Sequence, residues 1–141
     1  MKYQFIVNIM PYKIVVVDDD ADLLRLVRIK LSKEGFDVVT AVDGEEGAAA
    51  ILREKPDVMI VDVMMPKKDG YQVLTEVRVK MGKKTPIAIM LTAKAETRDI
   101  AKGLESGADD YITKPFSPRE LVERINVALV RRGKEGLSFK K

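Results

Sequence analysis

The stretch Val58-Met59-Ile60-Val61-Asp62-Val63-Met64-Met65-Pro66-Lys67-Lys68-Asp69-Gly70 decides how the rest of the chain reads. Four consecutive apolar residues leave no face for water, so 58–61 predicts a short strand buried on both sides. It ends at an acid, Asp62, and Pro66 with Asp69-Gly70 marks the loop that follows. The pattern recurs upstream, where Lys13-Ile14-Val15-Val16-Val17 runs into Asp18, Asp19 and Asp20. It recurs downstream in Ile87-Ala88-Ile89-Met90-Leu91, introduced by Pro86 and leaving at Thr92-Ala93. Asp37–Ala41 and Tyr111–Thr113 complete five strands, the last leaving at Lys114-Pro115.

Helical patterns separate the strands. Leu24, Val27 and Leu31 recur at helical spacing over 21–33, and Gly35 supplies the stop. An alanine-rich helix covers 45–54 and closes at Lys55-Pro56; another carries Leu74, Val77 and Met81. A shorter helix is predicted over about 98–106, ending at Gly107. Ser117-Pro118 opens the last helix, whose Leu121, Ile125, Ala128 and Leu129 make one apolar face. Two-sided apolar strands alternating with helices predict an α/β fold: a doubly wound, five-stranded parallel sheet in three layers. Five strands are too few for a closed eight-stranded barrel.

The 141 residues suit one domain. Residues 1–12 read as an N-terminal extension, with Met10 as an alternative start: the apolar stretch is short, is broken by Asn8 and lacks a cleavage site. Residues 13–132 read as the domain and 133–141 as a basic tail or linker stub. No apolar run reaches the length of a membrane span, so a cytoplasmic protein with no membrane partner is expected. The chain has no cysteine and no histidine. That removes thiolate chemistry, the common zinc ligands and Ser-His-Asp hydrolysis, leaving carboxylates, lysine, hydroxyls and backbone. A net charge of +3 is too small to argue for nucleic acid, and no direct nucleic-acid binding is expected.

In open parallel sheets, sites lie beyond the carboxyl ends of the strands. Asp18 and Asp19, Asp62, Thr92 and Lys114 all stand at or just past such ends. A single aspartate after a strand is most often a turn or cap, and Asp20 is read that way, as the cap of the first helix. Three acids at one edge are different. Two charges 4 Å apart repel by about 4 kcal/mol at an effective dielectric near 20, so such a cluster raises its pKa values or holds a cation. All-oxygen ligands select a hard ion, and magnesium suits carboxylates plus a phosphate. Carboxylates, a divalent ion, a lysine and a hydroxyl form the set that receives a phosphoryl group.

These residues resemble the receiver domains of two-component response regulators, the family of the bacterial chemotaxis switch protein. The similarity covers about 13–132. Val15-Val16-Val17-Asp18-Asp19 resembles the family's acid pair, and Asp62 to Gly70 its phosphoacceptor signature. Leu91-Thr92-Ala93 resembles the hydroxyl switch position and Gly107 to Phe116 the lysine segment. The resemblance implies a flavodoxin-like strand order 2-1-3-4-5. It implies that Asp62 accepts a phosphoryl group from a phosphohistidine of a sensor histidine kinase. Asp18, Asp19, Asp62 and the main-chain carbonyl of Met64 then hold magnesium, for which manganese substitutes. Lys114, Thr92 and the backbone of Met64 and Ala93 bind the phosphoryl oxygens. Thr92 and Tyr111 act as the switch, although Tyr111 by itself reads as a half-buried core residue. A cis bond is implied at Lys114-Pro115.

The readout implied is a repacked surface of the fourth helix, fifth strand and fifth helix, through which the domain controls a partner or an output domain. A narrower similarity is to receivers of winged-helix transcription regulators, which pair through charges on that face. Asp110 with Arg124 and Asp109 with Arg131 match those pairs and imply a homodimer; Glu120 is present, but its basic partner is replaced by Ile100. Met64 and Lys94 stand at positions that tune phosphoryl lifetime, and neither activates a water, so slow self-hydrolysis is expected. No DNA-binding sequence follows Arg132, so the chain reads as a single-domain regulator or an excised receiver. Two other readings of the residues remain. One is a magnesium-dependent phosphatase with an aspartyl intermediate, opposed by Met64 where such enzymes carry an acid. The other is a flavin or nucleotide binder, opposed by a first loop without a glycine-rich cradle.

Overall fold

The computed structural model describes residues 11–93 and 107–137, the last four of them by backbone alone. The expected helix over 98–106 lies outside the described residues. The five strands are β1 (Lys13–Val17), β2 (Asp37–Ala41), β3 (Val58–Asp62), β4 (Ile87–Ala93) and β5 (Asp110–Lys114). They form one sheet in the order β2-β1-β3-β4-β5, every neighbouring pair parallel. The described helices are α1 (Ala21–Lys33), α2 (Gly44–Glu54), α3 (Gly70–Met81) and α4 (Pro118–Leu137). The flavodoxin-like α/β arrangement expected from the sequence is therefore the one observed.

Strand side chains alternate between two cores, as the period of two requires. Val15, Val17, Met59, Val61 and Met90 meet α2 and α3 through Ile51, Leu74 and Val77. Ile14, Val16, Ile60, Ile89, Leu91 and Ile112 meet α1 and α4 through Leu24, Val27, Leu31, Leu121 and Ile125. The first three described helices start on an aspartate that satisfies otherwise orphaned N–H groups, and at the start of α4 Ser117 Oγ accepts from Glu120 N–H at 3.1 Å. Asp20 accepts from the N–H of Asp22 at 3.0 Å and of Leu23 at 3.2 Å. Asp43 accepts from Glu46 N–H at 2.8 Å, which moves the start of α2 to Gly44. Asp69 and Gln72 form a reciprocal capping box on α3.

The largest boundary differences from the sequence reading lie at β4 and α4. β4 continues through Thr92 and Ala93, because Thr92 pairs with Thr113 and Ala93 with Lys114 in the ladder. α4 continues to Leu137, five residues past the expected domain end at 132, so the start of the expected 133–141 tail is helical.

Candidate functional site

The parallel order puts the ends of β1, β3, β4 and β5 on one edge, with β1 and β3 as neighbours at the centre. That adjacency brings the acids together: Asp18, Asp19 and Asp62 each offer a carboxylate oxygen within 4.8 Å of the others. Asp18 is fully buried and Asp62 nearly so, while Asp19 stands at the solvent rim. Lys114 reaches in from the end of β5. Its Nζ lies 3.1 Å from Asp62 Oδ2, to which it donates a hydrogen bond, and 2.8 Å from Asp18 Oδ2. The second approach is off the hydrogen-bonding direction, so Asp18 Oδ2 has a charge neighbour but no aligned donor.

The other oxygens have backbone partners. Asp18 Oδ1 accepts from Asp20 N–H at 2.9 Å, and Asp62 Oδ1 from Met64 N–H at 3.3 Å. Burial pushes the Asp62 carboxyl above its usual range, and repulsion from Asp18 adds to this against the pull of Lys114. For Lys114, burial works to lower the ammonium, but Asp18 and Asp62 outweigh it and hold the group above its ordinary value. A fully buried carboxylate oxygen without an aligned donor, beside two further carboxylates, is a donor set that fits a hard divalent cation.

Thr92 is buried, and its hydroxyl approaches the Ala93 carbonyl at 3.3 Å. It follows Leu91, which pairs with Asp62 across the sheet, so its backbone stands beside the acid site. Ala93 and Met64 are exposed at the mouth of the site. Tyr111 is half-buried, with its hydroxyl 3.4 Å from that of Tyr71. Lys114-Pro115 is cis, as the resemblance implied.

The charges expected to pair two copies find partners within one chain. Arg124 Nη1 binds both oxygens of Asp110, at 2.9 and 3.0 Å, and its other nitrogen lies 3.8 Å from Glu120. Asp109 stands 3.7 Å from Arg132, a residue beyond the expected Arg131, and accepts from Ala88 N–H at 2.8 Å. Ile100 and Lys94 lie outside the described residues.

Sequence reading missed two supports of the site. Gly70 begins α3 against the carbonyl of Asp62, where an added β-carbon would lie 2.5 Å from that oxygen. Gly47 faces Val17, whose methyl carbon would stand 2.5 Å from a β-carbon. A glycine inside an alanine-rich helix was the available signal.

A doubly wound sheet with this strand order and an acid cluster at its carboxyl edge defines a class of flavodoxin-like α/β proteins. Within it, this chain belongs to the response regulator receiver domain family, whose profile matches residues 14–126. The probable transcriptional regulator ycf27 of Porphyridium aerugineum is 50% identical over 119 residues, which are 84% of this chain and 48% of that protein. Its counterpart from Guillardia theta is 48% identical over 126 residues, 89% of this chain and 48% of that protein. The chain thus spans about half the length of the curated relatives it matches. Among solved structures, a CheY-like receiver domain protein from Methanospirillum hungatei superposes with a TM-score of 0.83 at 32% identity, covering 90% of this chain and all of that one. A Francisella response regulator receiver domain gives 0.78 at 36% identity, covering 86% and 98%. Family and relatives together make this a response regulator receiver domain, similar in sequence to probable transcriptional regulators. Among the described residues, no helix is long and apolar enough to cross a membrane.

Proposed function

We propose that the chain receives a phosphoryl group on Asp62 from the phosphohistidine of a sensor histidine kinase. The observation that carries this is the seat of Asp62: a mostly buried carboxylate hydrogen-bonded to Lys114 and gathered with Asp18 and Asp19 at one sheet edge. An Asp62 oxygen attacks phosphorus, the O–P bond forms as the P–N bond breaks, and the electron pair leaves with the imidazole nitrogen. Lys114, the Thr92 hydroxyl and the N–H groups of Met64 and Ala93 take up the phosphoryl oxygens, by positioning and charge neutralisation. Asp18, Asp19, Asp62 and the Met64 carbonyl would hold a magnesium ion, or manganese in its place, which would supply positive charge to offset the negative charge of the phosphoryl oxygens.

The product adds close to two negative charges beside Thr92 and Lys114. Thr92 is drawn toward the new group and Tyr111 follows, which repacks the face carried by β5 and α4. That face controls a partner or an output domain and carries a homodimer contact through Asp109, Asp110, Glu120, Arg124 and Arg131. Slow self-hydrolysis follows from Met64 and Lys94, neither of which activates a water. The domain starts at residue 13, runs past 132 to the end of α4 at Leu137, and works in the cytoplasm.

The test is intact mass after incubation with a small acyl-phosphate donor and magnesium. One phosphoryl adduct on the wild type and none on Asp62→Asn is expected. An equal adduct on both would remove Asp62 from the role.

A further inference from the structure

Gly44, the first residue of α2, faces the loop that follows Asp62. A β-carbon at this position would lie 2.0 Å from the carbonyl oxygen of Lys68, 2.6 Å from Lys68 Cβ and 2.8 Å from its carbonyl carbon. Two of these are backbone atoms, so no side-chain rotation relieves the contact. The loop rests on α2 at this distance because residue 44 has no side chain.

Further contacts tie the same loop down. Lys67 adopts φ 70°, a left-handed conformation uncommon outside glycine, and its Nζ lies 3.7 Å from Asp43, the residue that caps α2. Lys68 N–H donates to the Pro66 carbonyl at 2.9 Å, and the Lys68 ammonium pairs with Glu76 on α3. At the far end, Gly70 N–H donates to the Val63 carbonyl at 2.9 Å, and Gly70 meets the Asp62 carbonyl with no room for a methyl group. The segment 63–69 is therefore held between two glycines. Met64, whose N–H approaches Asp62 Oδ1, lies within it.

We propose that Gly44 is a positioning residue for phosphoryl acceptance: the seat of the Lys68 carbonyl on α2 sets where the loop holds the Met64 main chain relative to Asp62. This rests on the reading of Asp62 as the acceptor. Helix propensity alone predicts the opposite outcome for Gly44→Ala, since alanine favours a helix over glycine. Here the added methyl group pushes the loop, and a displacement near 1 Å in a positioning group slows reaction by up to about a hundredfold.

The experiment compares wild type and Gly44→Ala, each as the full 141-residue chain, with acetyl phosphate and magnesium. Three quantities are read: the phosphorylation rate constant at saturating donor, the midpoint of thermal unfolding and the Met64 amide resonance. The expected result is a folded variant with a shifted Met64 resonance and a rate roughly tenfold to a hundredfold lower. A folded variant that reacts at the wild-type rate overturns the proposal. A second measurement needs no variant: magnesium with beryllofluoride, a phosphoryl mimic, is added to the wild type. Amide signals of Gly44 and Lys68 should shift together with that of Met64; a shift at Met64 with none at Gly44 and Lys68 overturns the coupling. If the wild type takes no phosphoryl group, the acceptor reading itself fails, and the proposal fails with it.

Discussion

Lys114→Met deletes the ammonium that stands between two buried carboxylates while keeping most of the side chain's length. In the structure that ammonium lies 2.8 Å from Asp18 Oδ2 and 3.1 Å from Asp62 Oδ2. At an effective dielectric near 20 these distances correspond to attractions of about 6 and about 5 kcal/mol, before the cost of desolvating the charges. Removing one partner of a buried pair costs about 3–5 kcal/mol, because the other charge is left uncompensated. Lys114 keeps 26% of its side-chain surface exposed, so water offsets part of this and the lower end, about 3 kcal/mol, applies. For a chain of this size that lowers the melting temperature by about 6–12 °C. The assay is calorimetric or dichroic unfolding of wild type and variant, first with a chelator and then with saturating magnesium. The gap should narrow with magnesium, since acids without the ammonium bind the dication more tightly and so gain more stability by mass action. An unchanged melting temperature under chelator, or a gap indifferent to magnesium, would refute the electrostatic reasoning.

Other perturbations have distinct signatures. Gly70→Ala places a methyl group 2.5 Å from the Asp62 carbonyl and should cost about 1–3 kcal/mol in denaturant unfolding; an unaffected midpoint would mean the helix shifts freely. Asp69→Ala removes the capping box of α3 and should cost about 1 kcal/mol, with Asp69→Asn close to wild type. Asp43 gives a pH signature. Its carboxyl is held below the ordinary 3.8, first by the Glu46 N–H, against an opposing effect of burial that exceeds the added pull of Lys67. A lowered folded pKa means the contribution is present above the ordinary value and lost as pH falls through the folded one. The stability difference between wild type and Asp43→Asn should therefore shrink below about pH 4. A difference constant from about pH 6 to about pH 3 would contradict this.

The strands were legible because a sheet covered on both faces demands uninterrupted apolar residues, as in Val58–Val61. β4 shows where that signal stops. Thr92 is polar and reads as an exit, yet it is held in the ladder opposite Thr113 by a contact that local sequence does not contain. The acids were legible as strand-end residues, and the topology expected for such a chain makes those ends adjacent. That Lys114 contacts Asp18 as well as Asp62 was not legible, because it depends on the path of a side chain across the edge. The partner of Asp109 illustrates the same limit. One residue is about 100° around a helix, so whether Arg131 or Arg132 turns toward β4 depends on how α4 is rotated against the sheet. The tight seats of Gly44 and Gly70 are likewise distances between segments far apart in sequence or across a turn.

If the sheet gathers Asp18, Asp19 and Asp62 into one site for a divalent ion, magnesium titrated into the chain by calorimetry binds there. A single binding event per chain is expected, weakened in Asp19→Asn, whose carboxylate is the exposed member of the cluster. A wild-type chain that binds no magnesium, or an Asp19→Asn variant that binds it equally well, would contradict it.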